Sequence, residues 1–274
     1  MSKLIRMLLL IAVTGGMPVA PALAANSDGA DNERWRAVRD SLFAGRTISE
    51  DTAGVIELDT PVRAADAAVV PIAIRTQLAQ TPSRYIKKVW LVIDRNPSPV
   101  GAVFTFTPDS GRADIETRVR VEEYTHVRAV AETSDGKLYM KTNYIKASGG
   151  CSAPAGKDLA AAMASVGRMK LRIDGDNTAP GQPALAQLMI SHPNTSGLAI
   201  DQLTRLAPPA YFVRSITVSY AGKTVLTADV DFTISENPSL RFYFMPNGAG
   251  ELKAQVVDTN DLTFESSIAV RPKT

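Results

Sequence analysis

A single cysteine, Cys151, excludes an internal disulfide, and two histidines, His126 and His192, are too few and too far apart to suggest a transition-metal site. No Lys/Arg block stands out, so nothing points to a nucleic-acid groove. Phosphate-cradling glycine loops and nucleotide fingerprints are also missing. The one apolar run near the start, Met7 to Val13, is too short to cross a bilayer, and no later stretch is long enough.

That short run instead reads as the core of a cleavable leader. Lys3 and Arg6 precede it, and Ala22-Leu23-Ala24 provides a small-x-small cut site, so residues 1–24 are expected to be removed on export. The leader holds two basic residues and no acid. Its loss takes the 30 basic residues to 28, against 28 acidic ones, and leaves a mature chain with no net charge. Its 45% apolar content is ample for a core.

The sequence predicts one helix and then strands. Asp31 or Asn32 can cap a helix carrying Trp35, Val38 and Leu42 at helical spacing, with Gly45 to end it. From residue 55 the period changes to two. Short alternating runs at 55–58, 69–74, 89–93, 103–106, 115–121 and 127–131 are divided by Gly, Pro, Asn and Asp turns, the pattern of a β-sandwich. In the 89–93 run, either Val89-Leu91-Ile93 or Trp90-Val92 is expected to face the core. The pattern also repeats. YIKKVWLVIDRNPSPVGAVFTF resembles YFVRSITVSYAGKTVLTADVDF, and Ser134-Asp135-Gly136 corresponds to Thr259-Asn260-Asp261 at nearly the same offset. Two similar sandwiches in tandem follow. Residues about 50–148 and 169–271 are expected to form them. An alanine-rich stretch from Lys157 to Val166, stopped by Gly167, supplies a short connecting helix.

Cys151 lies in the segment between them, KASGGCSAPAGKD. Gly149 and Gly150 free the backbone and leave the sulfur unshielded. Lys146 and Lys157 flank it, and the amides of the following helix add partial positive charge, all of which favours thiolate. An exposed, reactive thiol and an inert loop cysteine are both compatible with this chemistry. A thiol hydrolase would need a base, and neither histidine has an aspartate at an orienting spacing in the sequence. A mobile thiol without catalytic machinery suggests a carrier. An exposed unpaired thiol in an oxidising compartment is also expected to form disulfide-linked dimers or mixed disulfides.

Several of these segments resemble a known family. NPSPVGAVFTFTPDSGRADIETRVRV, AVAETSDGKLY and GGC are similar to SoxY of the periplasmic sulfur-oxidation system. ISHP, ITVSYAGKTVLTADVDFTISENPSLRFYF and GELKAQVVDTN are similar to its partner SoxZ. The order on one chain resembles a SoxY–SoxZ fusion. The internal GGCSAPAGKD, with WRAVRDSLFAGRTI and AADAAVVPIAI upstream, is more similar to the fused carriers associated with PQQ-dependent quinoprotein dehydrogenases. The resemblance implies an all-β chain of two tandem immunoglobulin-like antiparallel sandwiches. The implied division is a signal peptide at 1–24, a SoxY-like domain with its helix at 25–148, a Cys-bearing loop and linker helix at 149–168, and a SoxZ-like domain at 169–274. It implies a periplasmic carrier, not an enzyme, that needs no cofactor or metal. Cys151 is the covalent attachment point, with Gly149, Gly150 and Ser152 as its arm, and the cargo is sulfur-containing, thiosulfate being the family's example. Partners would be Sox-type enzymes or a PQQ-dependent dehydrogenase system, with no nucleic acid and no membrane after leader cleavage. The alternative is a non-covalent accessory scaffold for such a dehydrogenase.

Overall fold

The computed structural model describes residues 29–154, 159–174, 179–200 and 205–271. The leader at 1–24 and Lys157 therefore lie outside the described residues. No helix among those described is long and apolar enough to cross a membrane.

The chain opens with helix α1 (Glu33–Phe43), capped by Asn32, whose Oδ1 accepts the Trp35 amide at 2.9 Å. Eight strands follow: β1 (Ile48–Ser49), β2 (Ile56–Asp59), β3 (Val70–Thr76), β4 (Ile86–Ile93), β5 (Val100–Phe106), β6 (Ile115–Val119), β7 (Thr125–Thr133) and β8 (Leu138–Ile145). After the six-residue helix α2 (Leu159–Ala164) come β9 (Met169–Ile173), β10 (Ala184–Ile190), β11 (Val213–Tyr220), β12 (Lys223–Val230), β13 (Ser239–Phe244), β14 (Gly250–Asp258) and β15 (Thr263–Val270). Every strand anticipated from residue 55 onward is present.

The strands form two sheets with one apolar core between them. One sheet runs β1-β8-β7-β4-β5-β12-β11-β14-β15 and the other β2-β3-β6-β13-β10-β9. Apart from β1, each order is a palindrome: β8-β7-β4-β5 is followed by its counterparts β12-β11-β14-β15 in reverse. A repeated unit facing its copy across a pseudo-two-fold axis gives this order. At the seam, β5 pairs antiparallel with β12 from Leu226–Phe106 to Val230–Ala102, and β6 with β13 at Glu116–Arg241 and Ile115–Phe242. The halves are thus more than two sandwiches joined by a loop and a helix, because both sheets cross from one half into the other. Edge strands that would otherwise present unpaired amides pair with each other at the seam. The pairs of named strands are antiparallel except the two-residue β1, which lies parallel to β8.

Close approach at the seam requires Gly101. A Cβ there would sit 2.5 Å from the Thr233 methyl of the second half.

β4 buries both phases of its alternation. Val89, Leu91 and Ile93 enter the main core, while Trp90 and Val92 pack under α1 with Trp35 and Phe43. The Phe43 ring meets Trp90 edge-on at 5.1 Å. Leu42, expected on the buried face, is 37% exposed, and the next residue, Phe43, takes its place. The helix is tied down by the buried ion pair Arg128–Asp94 at 2.7 Å. Asn32 donates to Asp94 at 2.6 Å, and the guanidinium stacks 4.5 Å from the Trp35 ring. Removing one partner of such a pair would leave an uncompensated buried charge.

Candidate functional site

The site is built where β6 and β8 leave the sheets. Beyond β8, Lys146 pairs with the 62–64 segment: its amide donates to Val62 O at 3.0 Å and its carbonyl accepts from Ala64 N at 3.2 Å. The chain then runs onto the segment following β6. Gly149 N donates to Glu122 O at 2.8 Å, and Gly150 N to Val121 O at 2.9 Å. Gly149 adopts φ +80° in open space, a left-handed turn that glycine takes without strain. Gly150 is needed for a different reason. A Cβ there would lie 2.1 Å from Ala67 O and 2.7 Å from Val121 N, both backbone atoms that cannot step aside. The glycines were expected to free the arm. In this structure one makes the turn and the other lets the loop lie flat on its seat.

Three side chains hold the loop. Glu122 receives the Cys151 amide at 2.8 Å and the Ser152 amide at 3.0 Å on Oε2, and the Ser152 hydroxyl at 2.8 Å on Oε1. Arg120, 2% exposed, donates to Gly150 O at 3.2 Å and to Asn194 O of the second half at 3.4 Å, while its Nε has no partner among the described residues. Ser196, also of the second half, donates its hydroxyl to Cys151 O at 2.5 Å. The loop that follows the strands of the first half is therefore seated by both halves.

Cys151 is 0% exposed. Burial pushes its thiol up to about 12; the Glu122 and Asp231 carboxylates add to that rise, and Arg120 partly offsets it. This corrects the expectation of an accessible sulfur poised as thiolate. Local composition, with flanking lysines and glycines, had suggested that state. The observed state follows from groups distant in sequence: Glu122 lies 29 positions upstream of Cys151 and Ser196 45 positions downstream. Helix α2 begins only at Leu159.

The histidines are placed differently from each other. His126 sits in β7 with the Tyr144 ring edge-on at 5.0 Å, and burial lowers its pKa. His192 does have an aspartate beside it, contrary to the sequence expectation: Asp258 Oδ2 lies 3.6 Å from Nε2. Tyr211 donates its hydroxyl to the same carboxylate oxygen at 2.7 Å. The pair is formed across the second half, between the segment after β10 and the end of β14, and spacing in the chain could not show it. The His192 ring is fully buried and burial holds it towards the neutral form, with Nδ1 accepting the Asn194 amide at 3.1 Å. Because Asn194 O also receives Arg120, the cluster braces the seat of the loop. Among the described residues no three His, Cys, Asp or Glu side chains form a metal-sized group.

Sequence reasoning found Cys151, Gly149, Gly150 and Ser152, which the structure brings together in one loop. It missed Glu122, Arg120 and Ser196. The alternation of RVRVEE put Arg120 on a strand's polar phase, where an exposed side chain is the ordinary outcome.

Residues 39–151 match the family model of sulfur oxidation protein SoxY, and residues 172–269 match that of sulphur oxidation protein SoxZ. The first match ends on Cys151. Among solved structures, the chain is similar to the sulfur carrier protein SoxY from Chlorobium limicola f thiosulfatophilum, with 23% identity, 42% of this chain and 91% of that chain covered, and a TM-score of 0.35. It is also similar to the superoxide reductase (neelaredoxin) from Ignicoccus hospitalis, with 14% identity, 34% of this chain and 79% of that chain covered, and a TM-score of 0.30. No curated protein matches the chain.

Proposed function

Since this chain is a fused SoxY–SoxZ-like protein, we propose that it is a sulfur-oxidation carrier working in the periplasm, with Cys151 as the covalent attachment point. The observation that carries this reading is the position of the only thiol. Cys151 closes the SoxY match and sits in a loop that hydrogen bonds to Glu122 of the first half and Ser196 of the second. A cysteine that served only as core packing would not need a seat made by charged side chains.

Loading joins the Cys151 sulfur to the sulfur of an anionic substrate such as thiosulfate. An S–S bond forms, the thiol proton goes to solvent, and two electrons pass to a partner oxidoreductase. The carrier supplies the attachment point and the docking surface, and the partner supplies the catalysis. Gly149, Gly150 and Ser152 move with the loop, and the bare Cα of Gly150 lets it seat again against Ala67 and Val121. The resemblance of the internal GGCSAPAGKD to the fused carriers associated with quinoprotein dehydrogenases favours partners of the PQQ-dependent type, and a loop tethered at both ends reaches less deeply into their clefts than an arm that ends a chain. Export by the leader at 1–24 would bring the protein to the compartment of such enzymes.

The second reading is a non-covalent scaffold for the same dehydrogenase system, and the full burial of Cys151 favours it. Intact mass of protein taken from native periplasm separates the two. An adduct that disappears on Cys151→Ser supports the carrier. A bare polypeptide mass under all growth conditions, with normal function of Cys151→Ser, supports the scaffold.

A further inference from the structure

We propose that Glu122 is the latch of the carrier loop: its carboxylate holds the unloaded Cys151 thiol docked, and a group bonded to the sulfur releases it. This rests on the carrier reading for its purpose, though not for its test.

The geometry is that of a clamp. Both carboxylate oxygens of Glu122 are engaged by three donors from two consecutive residues, Cys151 N, Ser152 N and Ser152 Oγ, at 2.8 to 3.0 Å. Hydrogen bonds to an ionised acceptor are the stronger kind. Glu122 is itself held in place. Its amide donates to Asn96 Oδ1 at 2.9 Å, and Asn96, 1% exposed, donates back to Arg120 O at 2.8 Å. The clamp therefore belongs to the body of the first half, and the loop is the part that can leave.

What the clamp tolerates follows from its surroundings. The Cys151 side chain is wholly covered, so atoms added to the sulfur displace whatever covers it. Negative charge on the sulfur is opposed by burial and by the Glu122 and Asp231 carboxylates, and Arg120 offsets them only in part. The docked state thus prefers an uncharged, unsubstituted thiol. An anionic adduct prefers the open state, and by linkage whatever opens the loop also favours loading. Glu122 acts here as a positioning residue: it sets where the sulfur is, and takes no part in bond making. The consequence is a carrier that shields its thiol when empty and presents it when loaded, so partners meet two different surfaces.

The experiment uses the whole mature chain and iodoacetamide, a small neutral reagent that alkylates thiols with loss of iodide. Wild type is expected to react slowly, at a rate little changed by low urea, as for a local opening. Glu122→Ala should react about tenfold faster or more, equivalent to losing about one charge-assisted hydrogen bond. Glu122→Gln, which keeps an acceptor without the charge, should fall between them. Both variants should unfold within a few degrees of wild type. Should Glu122→Ala not fold, the Glu122→Gln comparison and a second readout decide: hydrogen exchange at the amides of residues 149–152 should rise in wild type carboxymethylated with iodoacetate. Equal alkylation rates in folded wild type and variants, or unchanged exchange after carboxymethylation, would overturn the latch. Neither result bears on whether native protein carries an adduct, so failure of the latch and failure of the carrier reading are separable.

Discussion

Two loops occupy equivalent places in the palindromic sheets and differ in almost everything else. One leads from β6 to β7 and carries Arg120, Val121 and Glu122; the other leads from β13 to β14 and carries Met245, Pro246 and Asn247. The second closes by hydrogen bonds to its own backbone. Met245 N donates to Asp109 O at 2.8 Å, Pro246 O accepts from Gly181 N at 3.3 Å, and Gly248 O receives the Tyr220 hydroxyl. The first sets a guanidinium and a carboxylate against the backbone of the cysteine loop, Arg120 on Gly150 O and Glu122 on the Cys151 and Ser152 amides. The same scaffold position is therefore a plain connection in one half and the seat of the cysteine loop in the other. What sets the two apart is the side chains placed on one copy, not the fold that both share.

Glycine substitutions should separate the two loops most sharply. Gly150→Ala drives a methyl into Ala67 O and Val121 N, so the cysteine loop resting on the first is expected to stay undocked. Iodoacetamide should then label Cys151 nearly as fast as in urea-unfolded protein, with a loss of about 1–3 kcal/mol in stability. Gly248→Ala, in the other loop, meets nothing within 4 Å among the described residues and carries only its positive φ. It should cost about 1 kcal/mol of backbone strain in a urea titration and leave thiol labelling unchanged.

Next in size is Arg120→Leu, which strips donors from Gly150 O and Asn194 O. Stability should fall by about 1–3 kcal/mol, the range for buried acceptors left unsatisfied, and labelling should speed up. The counterpart Met245→Leu should change stability by less than about 1.5 kcal/mol, as conservative apolar exchanges do.

A smaller effect is expected with pH, and burial gives it the same sign in both halves, lowering the pKa of His126 in the first and of His192 in the second. His192 is held towards its neutral form by burial, so its folded pKa lies below the unfolded value of about 6.5. A group of this kind stabilises fully above the unfolded pKa. That contribution is lost as pH falls from about 6.5 towards the folded value, because the unfolded chain takes up the proton first. Thermal unfolding from pH 8 to pH 5 should show falling stability, and His192→Gln should flatten that part of the profile. A wild-type profile with no slope there would remove His192 as the titrating group.

The smallest effect is a transplant. Asn247→Glu puts an acid on the second loop near Glu122's counterpart position, but Asn247 is exposed and no cysteine loop lies there. Stability should move by no more than about 0.5 kcal/mol, and labelling of Cys151 should not move at all.

The strands were legible because their alternation is written locally: β10 buries every second residue, and β3 and β14 carry runs of the same kind. The helix was legible from Asn32 and Trp35. Which of Leu42 and Phe43 turned inward was not, since that depends on the Trp90 ring waiting on the sheet. The repeat was visible as a spacing, but its consequence, one sandwich shared by two halves, depends on edges meeting in space. At the site, the unusual composition around Cys151 marked the loop. The state of its sulfur was not legible, because lysines near in sequence favour a thiolate while the glutamate that opposes it is near only in space.

Which segments are strands, that they recur, and which residue carries the only thiol were all settled along the chain, since periodicity and residue type are properties of neighbours in sequence. It took the folded chain to decide that β5 meets β12 and β6 meets β13, that Glu122 and Arg120 close on the cysteine loop, and that Ser196 of the second half bonds the Cys151 carbonyl. Burial and electrostatics act across a few ångströms of space, whatever the distance along the chain, and that is why the thiol is covered and pushed up to about 12 in a loop whose own residues would have left it bare.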